Sequence, residues 1–463
     1  MEIRLNPTNL KEVIESLRKE LVEQPNSADI HCNLGIALAE SGDLNSAIKC
    51  YQDAVNIESR HIPAYTNLGS IYRSLGKTEE ALVVFEKIIE LDSGEVSAYV
   101  NLGSLYKEKG DLNRSETNYQ KAVRLLPNDR NAYFNLGNAL RYEGDTKVAI
   151  QCYRKATAIK PDFVAAYYYL ANALKEAKRI KESADSYAQV IALLRSPLGH
   201  NPNGAHMFRM SVAHNAECLY ELGETDKLRK FITDSAKIDQ ANIRLATLSA
   251  FVSHQYKVQD HYPFCEDPLS MIKIDNISTS FTDFENFRIK LIAYLNDIPQ
   301  IWEPSNATTK QGFQTEDQLF DLKNDMLKQL EEIIWQKINQ YYSEFKSLPS
   351  VFTSKWPTQK KMKSWYVRLV QGGHQDAHMH NLGWLSGVVY LKTIDSPIKE
   401  EGSIEFGIHG YNYKIINENL PSRQHQPNDG DIVLFPSSLF HRTIPIRQNA
   451  DRSVIAFDLM PDP

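Results

Sequence analysis

Cysteine is scarce in this sequence, and what there is does not pair up. Cys32, Cys50, Cys152, Cys218 and Cys265 are odd in number and form no Cys-x-x-Cys unit. That argues against a disulfide framework or a structural zinc site and fits a reducing compartment. Long apolar runs are missing too. No stretch approaches the roughly 18–20 residues that a membrane span needs, and no charged-then-apolar leader opens the chain. Excess positive charge is also absent: 52 Lys and Arg stand against 58 Asp and Glu, a formal net charge of -6. Nucleic-acid binding is therefore not expected as the main role. These absences leave the expectation of a cytoplasmic protein with neither membrane nor nucleic acid among its partners. With 463 residues, 42% hydrophobic and 24% charged, the chain has room for two or three ordinary globular domains.

What is present is, first, a repeat. Asn-Leu-Gly occurs at 33–35, 67–69, 101–103 and 135–137, each step being 34 residues. A second glycine follows at a constant offset, at Gly42, Gly76, Gly110 and Gly144. An aromatic comes next, at Tyr51, Phe85, Tyr119, Tyr153 and Tyr187. Small residues recur at Ala64, Ala98, Ala132 and Ala166, and prolines punctuate the ends at Pro25, Pro127 and Pro161. This period and order resemble the tetratricopeptide repeat, a pair of antiparallel helices per unit. Five repeats are recognisable over about 28–194, the fifth with Tyr169-Leu170-Ala171 in place of Asn-Leu-Gly. In this reading the small residues let helices approach and the aromatic fills the groove between neighbouring units. Residues 205–257 read as a degenerate repeat with a capping helix, and 196–206, rich in Gly, Pro and Asn, as a loop.

Asn33, Asn67, Asn101 and Asn135 lie one residue from the packing positions, so stacking lines them up on one surface. A primary amide has two donors and an acceptor, and can grip an extended peptide backbone without reading its sequence. The row resembles the asparagine ladder of the O-linked N-acetylglucosamine transferase superhelix. The other reading is that each amide bonds within its own repeat. Either way, the resemblance to tetratricopeptide repeats implies a protein or peptide partner.

From about 258 the period is gone. Two helical stretches, FTDFENFRIKLIAYLNDI and DQLFDLKNDMLKQLEEIIWQKINQYYSEF, flank a polar segment, WEPSNATTKQGFQTED, read as a loop. The lysines of KWPTQKKMK either meet an acidic substrate or decorate a solvated loop. After Lys363 come short β-rich runs: WYVRLV, WLSGVVYL, GSIEFGI, DIVLFP, HRTIPI and SVIAFDL. Evenly spaced short strands suggest a barrel or jelly roll. The fold class expected is thus multidomain α + β, a repeat solenoid over 1–257 and a jelly roll with flanking helices over 258–463.

The segment QGGHQDAHMH holds His374, Asp376, His378 and His380 at spacing two. On a strand, such positions share a face. A close pair plus a distant His441 suggests a non-haem iron site.

The motif order carries a further resemblance. A histidine motif, Ser-Gly-Val-x-Tyr, Gly-x-Ile-x-Phe, Pro-x-x-Gly-Asp, Phe-Pro-x-x-x-x-His and Arg-Ser follow one another. Together they resemble the double-stranded β-helix of iron(II)/2-oxoglutarate-dependent oxygenases. The match sits with a subfamily bearing Gln-x-x-His-x-His and is strongest over 365–460. The resemblance implies Fe(II), 2-oxoglutarate and O2 as cofactors. It implies His441 as the distal ligand, Arg452 as partner of the far carboxylate of 2-oxoglutarate, and Tyr390 and Gln375 near that cosubstrate. It implies His378 and His380 as the close pair, so that a histidine stands where the wider superfamily has a carboxylate. The competing register, His374 and Asp376 with His441, restores a two-histidine-one-carboxylate site. In the first register Asp376 is a group that orients an imidazole.

The function these resemblances imply is a dioxygenase that hydroxylates a protein or peptide held by the repeats. The alternatives are an oxygenase acting on a small molecule and a non-catalytic metal-binding scaffold with a peptide-binding solenoid.

Overall fold

The computed structural model describes residues 7–461, except 126, 143, 196–201, 263, 266, 305–307, 317, 360, 396–399 and 412. Helix α1 (Pro7–Glu23) leads into five helix pairs. These are α2 (Ala28–Glu40) with α3 (Leu44–Ile57), α4 (Ile62–Ser74) with α5 (Thr78–Leu91), and α6 (Val96–Glu108) with α7 (Leu112–Leu125). Then come α8 (Arg130–Tyr142) with α9 (Thr146–Ile159), and α10 (Val164–Glu176) with α11 (Ile180–Leu194). Side chains close the helix starts where the sequence offers them: Ser27, Asp43 and Asp145 accept from the first-turn N–H groups of α2, α3 and α9.

The repeated glycines have two separate reasons. A Cβ on Gly35, Gly69, Gly103 or Gly137 would lie 2.6–2.8 Å from a ring carbon of Tyr51, Phe85, Tyr119 or Tyr153. The aromatic therefore packs on the bare helix of its own repeat, and it reaches the next unit as well: Tyr153 lies 6.3 Å from the Tyr169 ring and shares a cluster with Leu170 and Leu174. Gly42, Gly76, Gly110 and Gly144 turn the chain between helices at φ +69° to +92°, with open space around them. In the fifth repeat Lys178 takes that turn at φ 58°.

Three more helices follow, α12 (Pro202–Glu221), α13 (Thr225–Ile238) and α14 (Ile243–Tyr256). They match the degenerate repeat and cap, but residues 202–206, expected as loop, open α12. The remainder of that loop, 196–201, lies outside the described residues.

The second half is a curled antiparallel sheet of jelly-roll type. Its strands are β1 (Lys273–Asn276), β2 (Ile301–Trp302), β3 (Thr309–Gln314), β4 (Met362–His378) and β5 (Leu385–Lys392). The rest are β6 (Ile404–Gly407), β7 (Ser422–His425), β8 (Asp431–Pro436), β9 (Phe440–Thr443) and β10 (Arg452–Leu459). The order is β1-β8-β5-β10-β4-β9-β6-β7, with β3 joining β4 and β2 joining β3. The segment read as a polar loop over 302–317 thus holds a hairpin. Helices α15 (Phe284–Asp297) and α16 (Asp325–Phe345) flank the sheet.

Strand periodicity sorts the core into two layers. Facing inward are Val367, Leu369, Val388, Tyr390, Phe406, Val433, Phe435, Val454 and Ala456. The alternate residues Tyr366, Leu385, Val389, Leu434, Ile455 and Phe457 join the helices in the other cluster. Gly387 is required there, because the ring of its cross-strand neighbour Phe457 lies over it, 2.2 Å from where a Cβ would stand.

The chain's contacts divide it into Met1–Ser186 and Tyr187–Pro463, rather than at the expected 257/258. The physical reason is burial. Phe208, Tyr220, Phe251 and Val252 of α12 and α14 belong to the same apolar cluster as Tyr262, Trp384 and Phe440. Hydrogen bonds reinforce it: Thr247 donates to the Ser438 carbonyl at 2.7 Å and Tyr220 to the Lys414 carbonyl at 2.6 Å. Among the described residues no helix is long and apolar enough to cross a membrane.

Candidate metal centre

Strand β4 runs straight along β10 as far as Leu369, then turns at Gly372, whose φ is +83°. Beyond the turn it pairs with β9, where Gln375 faces Thr443 and His378 faces His441. Three steps on β4 thus match two on β9, so one residue is extra. A bulge of this kind inverts the alternation of faces. Gln375 and His378 therefore share the face of Thr443 and His441. This corrects the expectation that His374, Asp376, His378 and His380 converge on one point.

The outcome is plain in the ring positions. One ring nitrogen from each of His378, His380 and His441 lies within 4.8 Å of the other two. His374 instead bonds the Gly372 carbonyl at 3.0 Å, and Asp376 is exposed. The competing pair His374 and Asp376 is not assembled with His441. The carboxylate of Asp376 does not orient an imidazole either; only its backbone carbonyl does so.

Each imidazole is held by Nδ1. His378 donates to the Asp376 carbonyl at 2.7 Å, and His441 to the Leu439 carbonyl at 3.3 Å. His380 donates to Asp458 Oδ1 at 2.6 Å, and Ser386 donates to the same oxygen at 2.7 Å. Carbonyl and carboxylate oxygens only accept, so a neutral ring carries its proton on Nδ1 and turns the Nε2 lone pair outward. Burial first, then the neighbouring His380, holds the pKa of His378 down at about 3. Burial likewise drives His441 well below its ordinary value, with His378 and His380 adding to the effect. His378 and His441 are therefore neutral at physiological pH, the form that binds metal.

Asp458 escaped the sequence reading. Its signal was a lone carboxylate within SVIAFDL, on the inward alternation Arg452, Val454, Ala456, Asp458 of β10. At the other end of that face lies Arg452, 2% exposed. Among the described residues no carboxylate pairs with it. Its Nη1 reaches Thr443 Oγ1 at 3.4 Å, and its guanidinium stands 4.8 Å from the centre of the Tyr390 ring. Among the described residues Arg452 Nε and Tyr390 Oη have no hydrogen-bond partner. Burial raises the pKa of Tyr390, partly offset by Arg452, so its phenol is protonated at neutral pH.

Two clefts open over the histidines. One of about 710 Å³ is lined by His441, Glu405, His409, Tyr411 and Arg442 among others. The second, about 390 Å³, is lined by His378, His380, Gln375, Lys363, Tyr411 and Asp458 among others. Of the 355–363 run, Lys363 lines this cleft.

Comparison with known proteins agrees with this architecture. Residues 363–458 match the family model described as "Putative 2OG-Fe(II) oxygenase". Tetratricopeptide-repeat models match 28–61, 62–94, 94–162 and 134–196. The chain joins tetratricopeptide repeats to a domain of that oxygenase family. No curated protein matches it. Among solved structures, MamA is 24% identical, with 36% of this chain and 92% of that one covered and a TM-score of 0.34. YrrB, titled a TPR protein with an unusual peptide-binding site, is 21% identical over 42% and 97%, TM-score 0.34. The C-terminal part of a TPR repeat-containing protein from Cytophaga hutchinsonii is 18% identical over 50% and 91%, TM-score 0.42.

In the repeats, Asn33 is exposed and Asn67, Asn101 and Asn135 are half-buried. Asn67 Nδ2 lies 3.9 Å from Cys32 Sγ, and Asn101 donates to the Ser97 carbonyl of its own helix at 2.9 Å.

Proposed function

We propose that the protein is an iron(II)- and 2-oxoglutarate-dependent oxygenase that hydroxylates a protein or peptide engaged by its repeats. The observation that carries the reading is Arg452. A buried guanidinium with no carboxylate partner is costly. Here it shares an inward face with Asp458, the carboxylate that holds His380 of the three-histidine cluster. That donor set fits the groups the family implies. His378, His380 and His441 would hold iron(II), and Arg452 with Tyr390 Oη would take the far carboxylate of 2-oxoglutarate, a guanidinium accepting it through two parallel hydrogen bonds. When bound, iron with 2-oxoglutarate and oxygen supplies the oxidising power for C–H hydroxylation, leaving succinate and carbon dioxide.

The protein's own part is positional. The Nδ1 bonds hold each ring at a set angle. Phe406, Phe435 and Val433 wall the interior against water. A three-histidine set lacks the negative charge of a ligating carboxylate. Asp458 returns that charge from behind His380, making its ring a stronger donor. In the repeats, Asn33, Asn67, Asn101 and Asn135 supply amides for a peptide backbone.

The test is anaerobic. Iron(II) and then 2-oxoglutarate are added, and the visible charge-transfer band is recorded for wild type, His380→Ala and Asp376→Ala. The expected result is a band in wild type and Asp376→Ala that His380→Ala abolishes. Absence of a band in wild type overturns the cosubstrate assignment. The peptide component is tested by removing residues 1–186. A cut at 257 would also strip Phe208, Tyr220 and Phe251 from the oxygenase core.

A further inference from the structure

Tyr411 is the residue common to both clefts over the metal centre. It lines one cleft with His441 and the other with His378 and His380. Arg452 and Tyr390 are not among the residues lining either cleft.

The backbone is forced to put it there. Tyr411 adopts φ 48°, a left-handed conformation uncommon for a bulky residue. Such strain persists only where surrounding structure over-determines it, and it clusters at functional sites. Gly410 before it is pressed on Phe440, where a Cβ would lie 2.3 Å from the ring. The Tyr411 ring meets Phe440 edge-on at 4.9 Å.

The ring is also held from the helical layer. The Arg244 guanidinium of α14 lies 4.6 Å from its centre. Arg244 is in turn fixed by Glu217 of α12 at 2.7 Å, and Glu217 accepts from Tyr413 Oη at 3.1 Å. Gln255 ties the following stretch down, accepting from the N–H groups of Ile416 and Asn417 at 2.6 and 2.8 Å. Tyr411 lines the smaller cleft together with His378, Met379 and His380, and a phenol hydroxyl can donate as well as accept.

We propose that Tyr411 is a ligand-contacting residue of this site, donating a hydrogen bond to the polar group that enters over the three histidines, and that Arg244 is its positioning residue. The inference rests on the metal reading above and extends it to the substrate side. It also assigns α12 and α14 a part in the site rather than in the repeat stack alone.

The probe is azide, added to the full-length protein loaded with cobalt(II) and followed by the visible cobalt bands. A hydrogen bond to a charged acceptor contributes about 1.5–3 kcal/mol. Tyr411→Phe is therefore expected to weaken azide binding about tenfold or more, with cobalt affinity unchanged. Arg244→Met is expected to do the same, and Arg244→Lys, which keeps a cation over the ring, to recover most of the affinity. If Arg244→Met fails to fold, Arg244→Lys and Tyr411→Phe still decide the matter. Wild-type azide binding in Tyr411→Phe overturns the inference alone. Loss of cobalt affinity in Tyr411→Phe also overturns it, since that is a structural role. Absence of cobalt bands in the wild type overturns the metal reading, and this inference with it.

Discussion

In the repeats, the aromatic that packs a helix pair stands sixteen residues from the glycine it covers, as Tyr51 does from Gly35. In the oxygenase unit, the carboxylate behind His380 stands 78 residues away. Polar contacts give examples of the same contrast. Arg73 with Glu108 and Arg141 with Glu176 each join one repeat to the next, both 35 residues apart. Tyr220 and Lys414, by contrast, meet across 194 residues. The repeat array is held by short-range contacts written several times over, so a defect stays close to its own unit. The three-histidine cluster is assembled once, from β4, β9 and the segment after β4 that β10 supports through Asp458. A single change there has no copy to compensate for it.

The largest effect expected is at the centre itself. His441→Ala removes one of three ligating nitrogens, and 2-oxoglutarate consumption should fall to the metal-free background, measured as succinate formed. Asp458→Asn should leave the ligands in place but weaken metal binding by about 10- to 100-fold, the usual cost of losing a partner behind a ligating histidine. Asp376→Asn should change metal affinity less than about twofold, because only its carbonyl holds His378. A competitive metal titration of both variants separates the two carboxylates. Equal effects would break the distinction between partners near in sequence and partners near in space.

That distinction also explains what could be read from the chain. The repeats were legible because Asn-Leu-Gly and the trailing aromatic recur, and repetition marks a position as structural. His441 was singled out as the distant histidine, and Arg452 and Tyr390 only through the resemblance to the oxygenase family. The register of the close pair was not settled by spacing two, because a bulge between Gln375 and His378 inverts the faces and carries His374 and Asp376 away. No local pattern announces that extra residue. Asp458 and Tyr411 escaped for a related reason: each matters through a partner that the fold, not the sequence, brings near. The boundary near 257 was drawn where the period ends. The apolar faces of α12 and α14 place those helices in the later unit instead.

Within the repeats, the two kinds of glycine should respond differently. Gly103→Ala drives a methyl into the Tyr119 ring, 2.8 Å from its nearest carbon. Overpacking of this sort costs about 1–3 kcal/mol, read as a lower midpoint in thermal or urea unfolding. Gly110→Ala meets no neighbour, and only its φ of +78° resists the side chain. The expected cost is about 1 kcal/mol. If Gly103→Ala proved the milder of the two, the tight glycine–ring contact would not be what holds the pair.

The smallest effect sharpens the same comparison in the opposite direction. Lys178 occupies the turn that glycine takes in the first four repeats, at φ 58°. A side chain there carries a left-handed backbone penalty of about 1–2 kcal/mol, while glycine has more unfolded-state entropy to lose, about 0.4–1 kcal/mol. The terms oppose each other, so Lys178→Gly should stabilise the protein by between about 0 and 1.6 kcal/mol. The unfolding midpoint should rise slightly, with an unchanged denaturant slope. A fall would mean that the lysine side chain makes a contribution at this turn that glycine cannot replace, and that the fifth repeat departs from the others for a reason beyond tolerated strain.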